Sequence, residues 1–182
     1  MREKIKTTLM DAAAIEQTLT RLAHEIMERH QTLDSLAVVG IQRRGEFLAR
    51  RIVDLIRGHR QVDVKFGTVD VTFHRDDFRT RLPSPQVGPT QITFAVDNLH
   101  IILIDDVLYT GRTVRAAMNN LMDFGRPASI ELAVLIDRGH RELPIQAGYV
   151  GQQHPTSENE HIHVHVAEVD GKDEVLLMEY GE

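Results

Sequence analysis

Two adjacent carboxylates, Asp105 and Asp106, stand after an apolar run at 101–104 and before Val107, Leu108, Tyr109, Thr110, Gly111, Arg112 and Thr113. Thr110 and Thr113 supply hydroxyls, and Gly111 lets backbone N–H groups approach a ligand closely. A helical pattern then opens with its positive dipole end, so the loop forms an anion cradle suited to one phosphate. Carboxylates beside a phosphate would repel it and must face something else. Ribose hydroxyls fit them as hydrogen-bond donors, and so does a hydrated Mg²⁺. Phosphate, ribose diol and magnesium in one loop describe a sugar-phosphate site. Strand, Asp-Asp, loop also occurs in receiver domains and in metal-dependent phosphatases, so the motif alone leaves those classes open.

The elements that must position this loop follow from periodicity. Residues 101–104 read as a buried parallel strand that ends at the carboxylates, with Val114, Met118, Leu121 and Met122 on one face of the helix after the loop. Ligands of open α/β sheets bind at the carboxyl ends of such strands. A second strand–loop–helix unit runs from 36–41 through Gly40, Gln42, Arg43, Arg44 and Gly45 into a helix with Phe47, Leu48, Ile52, Leu55 and Ile56 inward. Two arginines at a helix start oppose the dipole unless an anion neutralises them. Residues 11–29 predict a first helix, with Asp11 as its cap and Ile15, Leu19, Leu22, Ala23, Ile26 and Met27 on its apolar face. Strands are expected over 62–73, 129–136 and 175–180, with a hairpin turn at Asp170–Gly171. The polar, proline-containing stretch at 74–89 lies between core strands and reads as a lid.

Alternating strands and helices predict an α/β fold with a parallel core sheet in one domain spanning 1–182. Composition agrees: 42% hydrophobic and 26% charged residues in 182, without low-complexity tracts. Cysteine is absent, which excludes disulfides, thiolate metal sites and a cysteine nucleophile. A net charge of −6 argues against indiscriminate nucleic-acid binding, although a local basic face remains compatible with it. Neither a signal peptide nor a membrane span is legible, so a cytoplasmic protein is expected. His161, His163 and His165 would share one face of a strand, a ligand-like spacing. With no cysteine or nearby carboxylate in sequence to complete a set, a solvent-facing strand is the expectation there.

The wording D-D-V-L-Y-T-G-R-T-V-R-A-A resembles the phosphoribosyl pyrophosphate (PRPP) loop of type I phosphoribosyltransferases. It is most similar to the PyrR family of pyrimidine operon regulators with uracil phosphoribosyltransferase activity. The resemblance implies the type I phosphoribosyltransferase fold, a parallel-core sheet flanked by helices with a small C-terminal hood. It also implies synthesis of UMP and pyrophosphate from uracil and PRPP with Mg²⁺. Residues 107–113 would hold the 5′-phosphate, while Asp105 and Asp106 orient the ribose diol and meet the metal, directly or through water. Tyr109 stands where purine enzymes usually carry a carboxylate, which points to a pyrimidine base. Arg44 matches the family arginine of G-I-x-T-R-G and would grip pyrophosphate, whereas Arg43 replaces a threonine. T-F-H-R-D-D-F resembles the family lid and would bring Arg75 to phosphate oxygens. L-I-D-R-G-H-R-E-L-P-I resembles the family stretch in which backbone groups of Ile136, Asp137 and Arg138 read uracil.

The same resemblance implies a second activity, a UMP-responsive regulator that binds the leader of pyrimidine-gene mRNA. Thr20, Arg21, His24 and Arg29 on the first helix, with His140 and Arg141, are its contact candidates. Gln146 and Gln152 occupy positions where relatives often carry basic residues. That keeps two alternatives in play: a salvage-type enzyme without RNA regulation, or a regulator with vestigial catalysis. A homodimer or higher homo-oligomer is the family's expected assembly.

Overall fold

The computed structural model describes residues 3–71 and 89–181. Strand β1 (Glu3–Met10) leads into α1 (Ala12–Arg29), β2 (Leu36–Ile41), α2 (Arg44–Arg60) and β3 (Lys65–Val69). Then come β4 (His100–Leu108), α3 (Arg112–Met122), β5 (Ser129–Asp137), β6 (Tyr149–Gln153), β7 (Glu160–His165), α4 (Ala167–Asp170) and β8 (Glu174–Tyr180). No described helix is long and apolar enough to cross a membrane.

Five strands form a parallel sheet in the order β3–β2–β4–β5–β6, with β4 at its centre. Residues 101–104 are buried on both faces, which is why they read as a continuous apolar run and not as an alternation. Asp11 is extended and accepts the Ala14 N–H at 2.8 Å, capping α1 as expected. All six apolar residues assigned to the inner face of α1 are buried, and they join Leu48, Ile52 and Ile56 of α2 in one core. A second core fills the other face, beneath Val114, Ala117 and Leu121 of α3.

Several expectations require correction. The central strand does not stop at the carboxylates but continues through them to Leu108. Met122 is more than half exposed, and Ala117 takes the buried position instead, because the helix turns that residue away from the sheet. The third strand is shorter than 62–73, with Phe73 outside the described residues. Asp170 and Gly171 are not a hairpin turn. They close the helical turn α4, with Gly171 at φ 77° as its left-handed cap.

The hood is also larger than a C-terminal piece. It is a three-stranded antiparallel sheet, β1–β8–β7, in which Glu3 lies opposite Tyr180. Neither β1 nor β6 was legible in the sequence. The six residues of β1 from Glu3 to Thr8 are exposed and show no apolar alternation, and β6 is a short edge strand of the parallel sheet. Ile162, Val164, Val175 and Leu177 join the α1–α2 core, so one apolar cluster runs beneath both sheets.

Candidate active site

The buried carboxylate pair anchors the site. Asp105 and Asp106 retain only 3% and 7% of their surface, and each holds the next backbone N–H: Asp106 N donates to Asp105 Oδ1 and Val107 N to Asp106 Oδ1, both at 2.9 Å. The strand changes phase across the pair. Ile102 and Ile104 pack in one core and Ile101 and Leu103 in the other, yet Leu108 joins the second group and Val107 packs against the first. Strict alternation would reverse those two. The side-chain-to-backbone bonds of the two aspartates sit where this shift occurs.

Beyond the strand, the Thr110 hydroxyl accepts the Arg112 N–H at 3.2 Å, and Gly111 caps α3 at φ 92°. A Cβ at Gly111 would come 3.3 Å from Ile145, so both backbone conformation and space select glycine. The β2–α2 loop reaches the same place. A Cβ on Gly45 would lie 2.5 Å from the Ile104 carbonyl oxygen and 3.2 Å from the Asp105 Cα. The start of α2 therefore packs directly on β4 beside the carboxylates, and two helix N-termini converge there. The Gln42–Arg43 peptide is cis.

The loop after β5 wraps around the central loop. Glu142 N and Leu143 N both donate to Thr110 O, at 2.9 and 3.2 Å, and Arg138 N donates to Leu108 O at 3.0 Å. Arg141 fastens the two together. Its guanidinium donates to Tyr109 O, Gly139 O and Ile145 O and to both oxygens of Asp137, at 2.8 and 2.7 Å. Five bonds match the five N–H donors of the group. Arg141 thus turns inward, and the expectation of an RNA contact there meets a side chain already committed to positioning the loops. Arg138 lies over the Tyr109 ring, 4.0 Å from its centroid, and donates to Thr156 Oγ1 and Glu160 O, linking the loop to the hood. His140 reaches the Thr156 carbonyl oxygen at 2.6 Å. Of the backbone groups at 136–138, Asp137 O accepts His154 N at 2.8 Å.

Arg44 does not point at open solvent. Its guanidinium pairs with both oxygens of Asp170 in the hood, at 3.1 and 2.9 Å. Burial by itself would raise the Asp170 carboxyl, but Arg44 and the Val166 N–H outweigh it and hold the group below its ordinary range. Two helical turns further on, Arg51 forks onto Glu168 and Asp173, and its hydrogen bonds draw both carboxyls down. Arg112 pairs with Glu142 at 2.7 Å. Sequence gave no sign of Asp170, Glu142 or Thr156 as partners, since each lies far along the chain from the residue it serves.

The first-helix candidates stand apart from this cluster. Arg21 donates to the carbonyls of Val150 and Gly151 on the edge strand β6 and pairs with Glu25. Thr20 Oγ1 donates to Glu16 O, His24 packs edge-on against His59, and Arg29 lies over the Tyr149 ring. Gln146 is exposed and Gln152 half-buried. Arg75 falls outside the described residues. The hood corrects one further expectation: Glu3 of β1 supplies the carboxylate that seemed missing near the alternate histidines, 3.7 Å from His161.

A Phosphoribosyl transferase domain matches residues 6–170. The chain is 48% identical over 177 residues to the Bifunctional protein PyrR of Pelotomaculum thermopropionicum, covering 97% of this chain and 98% of that one. It is 50% identical over 175 residues to the Bifunctional protein PyrR of Caldicellulosiruptor bescii, covering 96% of each. Among solved structures, the hypoxanthine phosphoribosyltransferase of Trypanosoma cruzi superposes with a TM-score of 0.72 at 13% identity, over 96% of this chain and 97% of that one. At that identity the likeness speaks for the fold alone.

Proposed function

This chain belongs to the phosphoribosyltransferase family, in its bifunctional PyrR branch, and from that premise we propose that it makes UMP and pyrophosphate from uracil and PRPP. The observation that carries the reading is the buried Asp105–Asp106 pair at the end of β4, opening into a glycine-capped helix start beside the start of α2. Departure of pyrophosphate leaves oxocarbenium-like charge on the ribose, so the reaction needs positioning and charge stabilisation and no covalent nucleophile. Backbone and hydroxyl donors of residues 110–113, with Val107, Leu108 and Tyr109 shaping the loop, would seat the 5′-phosphate. Asp105 and Asp106 would accept the ribose hydroxyls on the other side. Arg44, with Arg43 beside it and Arg75 from the lid segment, would hold pyrophosphate after exchanging Asp170 for phosphate oxygens. The charge-assisted bonds to phosphate oxygens would offset the loss of the Arg44–Asp170 pair, whose side chains are 29% and 18% exposed. Residues 136–138 would read the base.

Mg²⁺ suits this donor set: two hard carboxylates, each with one oxygen already held by a backbone N–H. When bound, it would offset the charge of the leaving pyrophosphate.

The second half of the proposal is an RNA-binding regulator whose RNA-competent state UMP favours by differential binding. Arg21, His24, Arg29 and His140, with Thr20, are the contacts proposed, and assembly as a homo-oligomer goes with them. The test pairs two assays on the purified protein. UMP synthesis should fall on the order of a hundredfold or more in Asp106→Asn, with the unfolding midpoint nearly unchanged. A folded and fully active Asp106→Asn protein would sink the role given to that carboxylate. Leader RNA should bind more tightly with UMP, and less tightly in Arg21→Ala. UMP synthesis without specific RNA binding would leave a salvage enzyme, the reading that Gln146 and Gln152 favour.

A further inference from the structure

At the other end of the parallel sheet, where its strands begin, three metal-ligand side chains from three elements converge. His30 caps the C-terminus of α1, His100 opens β4, and Glu131 is the third residue of β5. One donor atom from each lies within 4.8 Å of the other two. His30 Nε2 stands 3.0 Å from Glu131 Oε1, close enough for an ion pair, yet this buried nitrogen has no aligned hydrogen-bond partner.

The remaining atoms of the other two ligands are already held. His100 Nδ1 meets Ser129 Oγ at 2.8 Å, and Tyr149 OH donates to Glu131 Oε2 at 2.7 Å. Metal-binding imidazoles and carboxylates show this pattern: one atom is oriented by an outer partner and the other presented to the ion. The Glu131 side chain keeps 28% of its surface, so ion and water can enter from solvent.

We propose that His30, His100 and Glu131 form a transition-metal site of the Zn²⁺ class. Two imidazoles and one carboxylate are a zinc donor set with a fourth position left for water, and they are poor ligands for Mg²⁺. Tetrahedral zinc with bonds of 2.0–2.2 Å needs donors about 3.4 Å apart. His30 Nε2 and Glu131 Oε1 already stand inside that spacing, and the widest of the three separations needs to close by about 1.4 Å at most, which side-chain rotation at a helix end allows. The bound ion would clip the end of α1 to the starts of β4 and β5, raising stability by mass action. This site is separate from the carboxylate pair of β4 and does not depend on the function proposed for it.

The test uses the full chain, stripped of metal with a chelator and titrated with Zn²⁺ against a chromophoric competitor in excess Mg²⁺. One ion per chain should bind, and the melting temperature should rise. Glu131→Gln, which keeps a partner for Tyr149, and His100→Ala should each weaken binding about a hundredfold or more, while Tyr149→Phe, which removes only an outer partner, should weaken it by about tenfold. His163→Ala, which removes a ligand from the rival group formed with Glu3 and His161, should leave binding unchanged. Circular dichroism without zinc separates lost binding from lost folding, and Glu131→Gln decides the matter if His100→Ala does not fold. Absence of binding overturns the site. So does binding that survives Glu131→Gln and His100→Ala, or that is lost only in His163→Ala.

Discussion

Gly45 is a residue at which the fold and the proposed chemistry make the same demand. A methyl group there meets the Ile104 carbonyl at 2.5 Å, inside two backbones that cannot separate without moving α2 from β4. Gly45→Ala should therefore cost about 1–3 kcal/mol by overpacking, read as a shift in denaturant midpoint, and should reduce UMP synthesis in whatever protein remains folded. Arg141 offers the complementary case. Removing it takes the cation from the Asp137 carboxylate, which is 9% exposed and keeps the Gly139 N–H, and frees Tyr109 O from its tie. Because the arginine side chain keeps 23% of its surface, the loss should be about 2–3 kcal/mol, below that of a fully buried pair. An Arg141→Ala protein that lost RNA binding would thus report on loop position, whereas Arg21→Ala removes only exposed bonds and reports on the surface.

At the scale of elements, α1 shows what a sequence makes plain. Its cap and its six inner residues were legible because a 3.6-residue period and an Asx cap are local facts. Asp11→Ala should cost about 1 kcal/mol of stability for loss of that cap, measurable by thermal or denaturant unfolding. The α3 face was read less well, since Met122 lies at the end of a short helix where the sheet no longer covers it. The carboxylate pair was found from its motif, but the phase shift through it was not, because local periodicity gives no register. Resemblance supplied Arg44 and the loop after β5. The partners Asp170, Glu142 and Thr156 depend on tertiary pairing, which one sequence does not display. For the same reason β1 went unseen: its eight residues become a strand only against β8.

For the molecule as a whole, the hood is fastened by charge as well as by the apolar cluster it shares with α1 and α2. Arg44 and Arg51 join it to α2, and Lys6 joins β1 to Glu160 on β7 at 2.6 Å. The Lys6 ammonium and the Ser157 N–H pull the Glu160 carboxyl from 4.5 to about 2. A carboxyl depressed on folding contributes stability that is complete above its unfolded value and disappears as pH falls through the folded one. The hood should accordingly loosen between about pH 4.5 and 2, with Asp170, Glu168 and Asp173 adding to the same trend. Hydrogen exchange should show β7 and β8 amides losing protection in that window before those of β4. Equal loss in both sheets would refute the idea that the hood is a separately fastened part. The central position of β8 has one more consequence, in the order of synthesis. β1 is made before every strand of the parallel sheet, yet β8, the strand it pairs with, is made after them, so it must wait unpaired while that sheet assembles. An unpaired strand invites aggregation, and lysines are a means of preventing it. Lys4 and Lys6 stand on that waiting strand, and on the sheet edge that β1 still forms once β8 has paired with it.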